Sequence, residues 1–317
     1  MGTRRDFLTL AAYAAGGLAL SPLVACAQDA TSPMPPVRPP APGTIATRPI
    51  PATGETLPVI GMGTSGSLDV GGSPEERAPL HEVLRLFVAS GATLIDTAPT
   101  YGRSEPVLGE LMAAAGNRDR IFVATKLSGV TGRDEGLAQF AGSLRDLKTD
   151  KVELLQVHNL RDTDTQFAVI QSLKEQGKVR YSGLTHFQEG AQADLAAAMR
   201  RLKPDFVQIN YSPVTRGAER EVLPLAQEMG IAVIINRAFE DGRLFGQVKD
   251  KPLPGWAADV GADSWGQLFL KFVLSHPAVT VVIPATSKPK HQVDNLKAGV
   301  SPFLDATQRD ALVAALA

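Results

Sequence analysis

Residues 93–102 read Thr-Leu-Ile-Asp-Thr-Ala-Pro-Thr-Tyr-Gly, an apolar run that ends on the carboxylate of Asp96 and is followed by the phenol of Tyr101. The pattern recurs twice downstream, where Lys126 and His158 each close a similar apolar run. Runs that are apolar throughout are typical of strands buried on both faces of a parallel sheet. In a parallel α/β barrel, the carboxyl ends of the strands form the catalytic face. The pattern therefore predicts that an acid, a phenol, an amine and an imidazole meet at one end of such a barrel.

The same alternation extends over most of the chain. The strand-like runs are residues 59–63, 93–96, 121–125, 152–157, 181–184, 206–209, 232–235 and 279–283. The helical patterns are residues 79–90, 105–115, 135–147, 166–176, 191–201, 218–229, 264–276 and 290–298. Eight such alternations predict a closed (β/α)8 TIM barrel over residues 46–317. A doubly wound open sheet is the competing fold, but no G-x-G-x-x-G motif opens a helix after a strand.

A short hairpin is expected ahead of the barrel. Residues 48–50 and 57–59 are strand-like and flank Thr53-Gly54-Glu55, a turn signal. We expect this hairpin to close the bottom of the barrel.

Composition narrows the class of protein. The chain has 317 residues, a net charge of −1, 44% hydrophobic residues and one cysteine. One barrel takes about 250 residues, so a single large domain fits this length. Near-neutrality gives no reason to expect a nucleic-acid partner, and one cysteine cannot form an intrachain disulfide. No histidine or cysteine cluster has metal-ligand spacing, so no metal is expected.

The first 27 residues resemble an export signal. Arg4-Arg5 is followed by Phe7-Leu8 and then by an Ala/Gly-rich apolar run over residues 10–25. The run is short for a membrane span and has no polar face, which argues against an amphipathic helix. The paired arginines predict a twin-arginine signal peptide and therefore the twin-arginine translocase as a partner during export.

The end of this segment has two interpretations. Leu23-Val24-Ala25-Cys26 resembles a bacterial lipobox, whereas residues 25–27 also fit ordinary signal cleavage. The position of the sole cysteine favours a lipid anchor at Cys26. Residues 28–45 are rich in proline and predict a semi-rigid linker. We expect a periplasmic protein, anchored as a lipoprotein if Cys26 is modified.

From about residue 48 to residue 298, the chain resembles an aldo-keto reductase. The resemblance rests on motifs that match in order and in barrel position. They are Asp-Thr-Ala-x-x-Tyr-Gly at residues 96–102 with Ser104-Glu105 after it, Lys126, His158, Gly183-Leu184-Thr185-His186, Gln208-Ile209-Asn210-Tyr211 and Val282-Ile283-Pro284-Ala285-Thr286.

The resemblance implies that Tyr101 protonates a carbonyl oxygen while a nicotinamide delivers hydride to the carbon. The chemistry of the residues agrees, because a free phenol has a pKa near 10 and a neighbouring ammonium favours its ionised form. Lys126 would supply that ammonium, and Asp96 would be the counter-ion that a buried lysine needs. His158 would hydrogen-bond the substrate oxygen or Tyr101.

The resemblance also implies a cofactor site. Thr185, His186 and Gln208 stand where the family holds the carboxamide. Asn236 and Arg237 stand where it often has a stacking tyrosine, and Arg237 is expected to pair with the pyrophosphate. Where the family binds the 2′-phosphate and adenine, the chain carries Ala285, Thr286, Lys288, His291 and Asn295. No arginine stands in this phosphate site, so we expect binding of NADP with a modest preference over NAD.

The sequence thus predicts an NAD(P)H-dependent reductase acting on a small-molecule aldehyde or ketone. The alternative is a non-turnover nicotinamide-binding or sensor protein with the same fold, and the intact set of four residues favours the enzyme. The loop over residues 159–165 is short, and the terminal helix over residues 305–317 leaves no tail to cover the site. Both features predict an open pocket without naming a substrate. Because a periplasmic enzyme has no NADPH pool, we expect tight retention of the cofactor, with Arg237 and residues 239–246 as the clamp.

Overall fold

The structure, a computed structural model, describes residues 38–316. The strands of this range are β1 (Thr47–Pro49), β2 (Thr56–Pro58), β3 (Met62–Gly63), β4 (Leu94–Asp96), β5 (Phe122–Leu127), β6 (Val152–His158), β7 (Val179–Thr185), β8 (Phe206–Asn210), β9 (Ala232–Asn236) and β10 (Val281–Val282). The helices are α1 (Pro74–Ala89), α2 (Ser104–Ala115), α3 (Arg133–Asp146), α4 (Thr163–Glu175), α5 (Gln192–Leu202), α6 (Val222–Met229), α7 (Arg243–Gln247), α8 (Trp265–Leu274), α9 (Pro289–Lys297) and α10 (Ala306–Leu316).

Eight of these strands form one parallel sheet that closes on itself. Strands β3 to β10 pair in chain order, each parallel to the next. Parallel bridges from Ile60 to Val282 and from Gly63 to Ala285 join the first strand of the series to the last. The (β/α)8 barrel predicted from the sequence is confirmed.

The predicted hairpin is also present and contributes to the core inside the barrel. Strands β1 and β2 pair antiparallel, with Arg48 opposite Leu57. The hairpin side chains Ile50 and Leu57 are buried among residues of the barrel strands, including Phe122 and Phe206. A second, larger apolar cluster lies between the strands and the surrounding helices. The amino-terminal end is therefore filled, and the opposite end is left for a site.

Several helix boundaries differ from the prediction. Helix α1 begins at Pro74 rather than at residue 79, because Ser73 and Glu76 form a capping box and Pro74 suits the first turn. Pro79 then lies inside the helix. The segment after β9, where no helix was predicted before residue 264, contains α7. Helix α6 begins four residues later than predicted because a 3-10 turn at Gly217–Glu219 precedes it.

Glycines 61, 63 and 66 have the spacing of a dinucleotide-binding turn. In the structure Gly61 precedes β3, Gly63 ends it and Gly66 lies in the following turn, and the next helix begins at Pro74. A phosphate-binding helix start of the open-sheet type requires a helix directly after the last glycine. The spacing therefore does not mark a doubly wound fold.

The carboxyl-terminal part of the chain is tied to the barrel by two cations, Arg309 and Lys271. Arg309 on α10 donates to the Tyr211 hydroxyl at 2.7 Å, to Glu219 at 2.7 Å and to the Phe272 carbonyl at 2.7 Å. Lys271 on α8, 1% exposed, donates to the carbonyl of Pro302 at 2.9 Å and to that of Val300.

The signal peptide, the lipobox at Cys26 and residues 28–37 of the linker lie outside the described residues and stay predictions. At the end of the linker, Ile45 is buried and bridges to Val300. Across residues 38–316, none of the helices combines the length and the hydrophobicity needed to cross a bilayer.

Candidate active site

The carboxyl ends of the barrel strands surround an open cavity of about 650 Å³. Asp96 at the end of β4, Tyr101 in the following loop and His158 at the end of β6 line it. Lys126 is buried on β5, which lies between β4 and β6. The structure thus brings together all four residues predicted to be catalytic.

Asp96 and Lys126 form a buried ion pair. The Lys126 ammonium lies 2.7 Å from Asp96 Oδ2, and the two side chains are 0% and 3% exposed. The same ammonium donates to the Thr97 carbonyl at 2.7 Å. Burial disfavours the charged form of Lys126, but Asp96 and Tyr101 favour it, so the pKa of Lys126 is raised. The lysine is therefore a permanent cation in this site.

The other carboxylate oxygen of Asp96 is held by two amides. Oδ1 accepts hydrogen bonds from Gln208 Nε2 at 2.7 Å and from Gln156 Nε2 at 3.2 Å. Gln156 was missed by the sequence analysis. The sequence signal for Gln156 is a polar residue inside an apolar run, two residues before His158, a spacing that places both side chains on one face of β6. In the structure the Gln156 side chain is fully buried.

Tyr101 lies directly beside the lysine. The Lys126 nitrogen is 4.8 Å from the centre of the phenol ring. Burial raises the pKa of Tyr101 above 10, and the opposing attraction of Lys126 does not reverse this direction. The sequence led us to expect that Lys126 would have the larger effect on the Tyr101 pKa. In the structure, removal of the phenol from water has the larger effect. Tyr101 is therefore fully protonated at neutral pH.

His158 is packed against the phenol by its ring edge. The two ring centres are 5.9 Å apart at 82°, and Nδ1 of His158 lies 2.6 Å from the Ser128 hydroxyl. Burial, together with the positive charge of Lys126 and the nearby His186, lowers the pKa of His158 to about 3. The imidazole is consequently neutral over the whole physiological range.

The predicted carboxamide site is partly assembled. Thr185, Gln208 and Asn236 line the cavity, and the Gln208 amide oxygen accepts from the Thr185 hydroxyl at 3.3 Å and from Asn236 Nδ2 at 3.3 Å. His186 is not among the residues that line the cavity. Its Nδ1 instead accepts the backbone N–H of Gln188 at 3.1 Å.

The donor and acceptor chemistry of this wall fits a nicotinamide carboxamide. Among the described residues, the amide oxygens of Asn159 and Asn236 are buried without a hydrogen-bond partner, and both residues line the cavity. A buried acceptor without a donor is destabilising. A carboxamide NH2 group would supply the missing donor.

Arg237 lies at the rim of the cavity in a left-handed backbone conformation, with φ of 52°. Its guanidinium is 4.3 Å from the ring centre of Phe187 and forms an ion pair with Asp241 at 3.0 Å. Phe239 and Phe245 from the following segment also line the cavity. Arg237 is thus placed to meet an anion, although a carboxylate already pairs with it.

The predicted phosphate and adenine residues lie on and before α9. Ala285 lines the cavity, and the Thr286 hydroxyl accepts the backbone N–H of Lys288 at 3.1 Å, one residue before the helix. His291 and Asn295 follow on the helix, where burial, Lys288 and Lys290 lower the pKa of His291. Thr286 and Asn295 are largely buried, while Lys288 is exposed.

Residues 38–316 contain no group of three or more histidine, cysteine, aspartate or glutamate side chains that could hold a metal ion.

Comparison with known proteins assigns the family. Residues 59–316 match the model of the aldo/keto reductase family. The chain is 28% identical to aldo-keto reductase str7 of Strobilurus tenacellus, over 77% of this chain and 82% of that protein. It is 28% identical to methylglyoxal reductase YeaE of Escherichia coli, over 76% of this chain and 84% of that protein.

Solved structures agree with the fold. An aldo/keto reductase from Klebsiella pneumoniae, described in complex with NADP and acetate, matches with a TM-score of 0.69 and 25% identity. The match covers 82% of this chain and 91% of that chain. The chain belongs to the aldo/keto reductase family and is an NAD(P)H-dependent oxidoreductase.

Proposed function

We propose that this aldo/keto reductase reduces an aldehyde or ketone to an alcohol, with Tyr101 as the proton donor and NADP(H) as the cofactor. The observation that carries the proposal is the buried Asp96–Lys126 pair set beside the phenol. A carbonyl oxygen gains negative charge as it is reduced, so it needs a proton at that moment. Tyr101 presents the hydrogen of its phenol to the cavity, next to the fixed cation of Lys126.

Lys126 would act after the proton begins to leave. Burial keeps Tyr101 protonated in the resting enzyme, as a general acid requires. As the phenol ionises, negative charge develops near the Lys126 ammonium, in surroundings where water screens little. The attraction is therefore stronger in the transition state than before it, which is the condition for a gain in rate.

Asp96 would keep the lysine charged and in place. A buried ammonium without a counter-ion tends to lose its proton. The carboxylate prevents this, and the amides of Gln156 and Gln208 fix its second oxygen. Because Gln208 also faces the carboxamide site, it would link the position of the cofactor to the position of the acid.

His158 would orient the substrate without charge. Since its pKa is about 3, it contributes a neutral ring nitrogen to the cavity. That nitrogen would hydrogen-bond the carbonyl oxygen beside the Tyr101 hydroxyl. Such a second contact holds the oxygen in line with the phenol.

NADP(H) supplies the hydride when it is bound, and the protein binds and orients it. Thr185, Gln208 and Asn236 would hold the carboxamide, and Arg237 the pyrophosphate. Thr286, Lys288 and His291 would meet the 2′-phosphate, and Asn295 the adenine. The NADP named for the Klebsiella pneumoniae structure supports this choice of cofactor.

The test is the substitution Tyr101→Phe, assayed by oxidation of NADPH with 4-nitrobenzaldehyde. Loss of the acid should lower kcat by about 10²–10⁴-fold, while NADPH binding measured by fluorescence titration stays nearly unchanged. Tyr181→Phe is the matched control, because its hydroxyl bonds Glu55 on the hairpin, away from the cavity, and it should keep its activity. More than a tenth of the native kcat in Tyr101→Phe would disprove the role of the acid. A native protein that binds NADPH but never oxidises it in a single turnover would instead be the non-turnover sensor.

We further propose that the protein is exported by the twin-arginine route and held at the membrane through Cys26. The support is the arginine pair at residues 4 and 5 and the sole cysteine at the lipobox position. Arg4→Lys combined with Arg5→Lys should retain the protein in the cytoplasm, and Cys26→Ser should release it from the membrane fraction. An unchanged distribution in either variant would reject that part of the proposal.

An exported reductase needs a retained cofactor, since NADPH is not replenished outside the cytoplasm. We propose that the cofactor crosses with the folded protein and is reoxidised and reduced in place by alternate substrates. The Arg237–Asp241 pair and the segment over residues 239–246 border the cavity and are the candidate clamp. Mature protein purified from the periplasmic or membrane fraction should carry close to one nucleotide per chain after dialysis. Nucleotide-free protein with micromolar affinity would refute retention.

A further inference from the structure

Ser128 contacts His158 from behind the cavity wall. It lies one residue beyond β5 and is 3% exposed, and its hydroxyl is 2.6 Å from Nδ1 of His158. Ser128 does not line the cavity. Its contact is with the ring nitrogen whose protonation decides what the other ring nitrogen can do.

The hydrogen-bond inventory of Ser128 selects one arrangement. Among the described residues, the hydroxyl has no other side-chain or backbone partner. If Nδ1 carried the hydrogen, the hydroxyl would accept it and its own hydrogen would be buried without an acceptor, which is destabilising. If the hydroxyl donates to Nδ1, no hydrogen is left unpaired on Ser128, and the imidazole hydrogen must be on Nε2.

The position of the hydroxyl is itself fixed from α3. The Gln139 side chain accepts the backbone N–H of Ser128 at 2.7 Å and donates to the Ser128 carbonyl at 2.9 Å. One amide therefore satisfies both backbone groups at the point where β5 ends. Gln139 holds Ser128, and Ser128 holds the imidazole.

We propose that Ser128 is a positioning residue that keeps His158 as the Nε2–H tautomer, so that the imidazole donates a hydrogen bond to the carbonyl oxygen that Tyr101 protonates. The catalytic half of this inference rests on the proposed function. Because His158 titrates only near pH 3, the choice at neutral pH is between two neutral tautomers. The opposite tautomer would present a lone pair to the carbonyl oxygen and repel it.

Nitrogen-15 NMR of histidine-labelled protein tests the tautomer without turnover. The two-bond proton–nitrogen spectrum distinguishes a pyridine-type from a pyrrole-type nitrogen, and His158→Gln assigns the signals among the five histidines. In the native protein at pH 7, Nδ1 of His158 should be pyridine-type and Nε2 pyrrole-type. In Ser128→Ala the two signals should shift toward intermediate values, and Ser128→Thr, which keeps the hydroxyl, should restore them.

Kinetics test whether the tautomer is used. Removing one direct donor to a developing oxyanion costs about 10²–10³-fold in kcat, and Ser128→Ala removes only the bias toward that donor, so we expect about a tenfold loss. KM should change less than kcat, and Ser128→Thr should recover activity. Ser143→Ala is the matched control, because this serine is also buried but bonds Glu105 at 3.0 Å. It should leave both the His158 signals and kcat unchanged.

The outcomes separate this inference from the proposed function. A native Nδ1–H tautomer, or unchanged His158 signals in Ser128→Ala, overturns the positioning role whatever the enzyme catalyses. Shifted signals with an unchanged kcat overturn the catalytic use of the tautomer. If Ser128→Ala fails to fold, the native spectrum and Ser128→Thr still decide. Activity retained in Tyr101→Phe refutes the proposed acid while leaving the tautomer assignment standing.

Discussion

Two buried lysines in this barrel have nearly equal exposure and opposite electrostatics. Lys126, at the carboxyl ends of the strands, and Lys271, on α8, are each 1% exposed. Lys126 faces a carboxylate and its pKa is raised, whereas Lys271 faces two carbonyl oxygens and the Phe303 ring, and burial lowers its pKa to about 8. Burial alone therefore does not tell whether a lysine holds its charge.

The difference separates a cation placed for chemistry from one placed for structure. Lys126 has a fixed charge because Asp96 compensates it, and that charge faces a group that can ionise. Lys271 joins α8 to the segment at residues 300–302 through hydrogen bonds, and these do not require a strong cation. Predictions that change either lysine test this distinction.

The largest effect is expected for Lys126→Met. The substitution leaves Asp96 as an uncompensated buried charge, and breaking such a pair costs about 3–5 kcal/mol of the free energy of unfolding. It also removes the cation that stabilises ionised Tyr101, so we expect kcat to fall by at least about 10²-fold. Urea unfolding and NADPH oxidation measure the two losses. A variant with native stability would show that the pair contributes no net stabilisation.

Lys271→Met is the matched comparison and should leave kcat nearly unchanged. The methionine fills most of the space, but the carbonyls of Val300 and Pro302 lose their donor; because Val300 is half-buried and Pro302 exposed, water replaces part of that donor and we expect a cost of about 1 kcal/mol. The free energy of unfolding should therefore drop by less than in Lys126→Met. A loss of activity equal to that of Lys126→Met would contradict the division between chemistry and structure.

The catalytic half of the site was predictable from the sequence in its main residues but not in the residues that support them. The apolar runs that end on Asp96, Lys126 and His158 were sufficient to predict the barrel and the grouping of these side chains, because strand ends in a barrel meet by geometry. Gln156 and Ser128 were missed, since their partners lie on other strands and only the register brings them together. The direction of the Tyr101 pKa was also not predictable, because burial, which has no local signature, outweighs the neighbouring charge.

The cofactor half of the site was predicted less fully for a related reason. Loop backbone decides which way a side chain points, and His186 turns to the backbone of Gln188 instead of lining the cavity. Arg237 acquires a carboxylate partner four residues away because the chain turns back after it, with Asp241 in the 3-10 turn at Glu240–Gly242. The start of helix α1 was missed for a different reason, because it is set by the Ser73-x-x-Glu76 capping box, a local sequence signal, whereas the prediction followed apolar periodicity.

The pH dependence of stability should distinguish the lysines with a smaller effect. The pKa of Lys271 is about 8 in the folded protein, against 10.5 for an unperturbed lysine. Between pH 8 and pH 10.5 the unfolded chain binds more protons at Lys271 than the folded protein does. The contribution of Lys271 to the free energy of unfolding therefore rises with pH over this range, and the gain is lost as the pH falls from 10.5 to 8. The difference between native protein and Lys271→Met in urea unfolding should therefore grow from pH 8 to pH 10.5. A constant difference would mean that Lys271 is not perturbed.

The smallest effect is expected for two exposed lysines, one directly before α9 and one on its first turn. Lys288 and Lys290 are exposed, so their attraction for a 2′-phosphate is screened by water and salt. We expect NADPH to bind more tightly than NADH by less than about tenfold, which corresponds to 1.4 kcal/mol. Fluorescence titrations at two ionic strengths measure this preference, and Lys288→Ala should reduce it. A preference for NADH above tenfold would rule out a working phosphate site.

The bridges that join Ile60 to Val282 and Gly63 to Ala285 impose an order on biosynthesis. Until residues near 285 have left the ribosome, β3 and β9 are open sheet edges with unpaired backbone groups, and such edges favour aggregation. The last closing contacts span more than two hundred residues of chain, so loop-closure entropy makes them late events in folding. A fragment truncated before β10 should therefore be insoluble, and the nascent chain would gain from a chaperone that shields these edges until synthesis is complete.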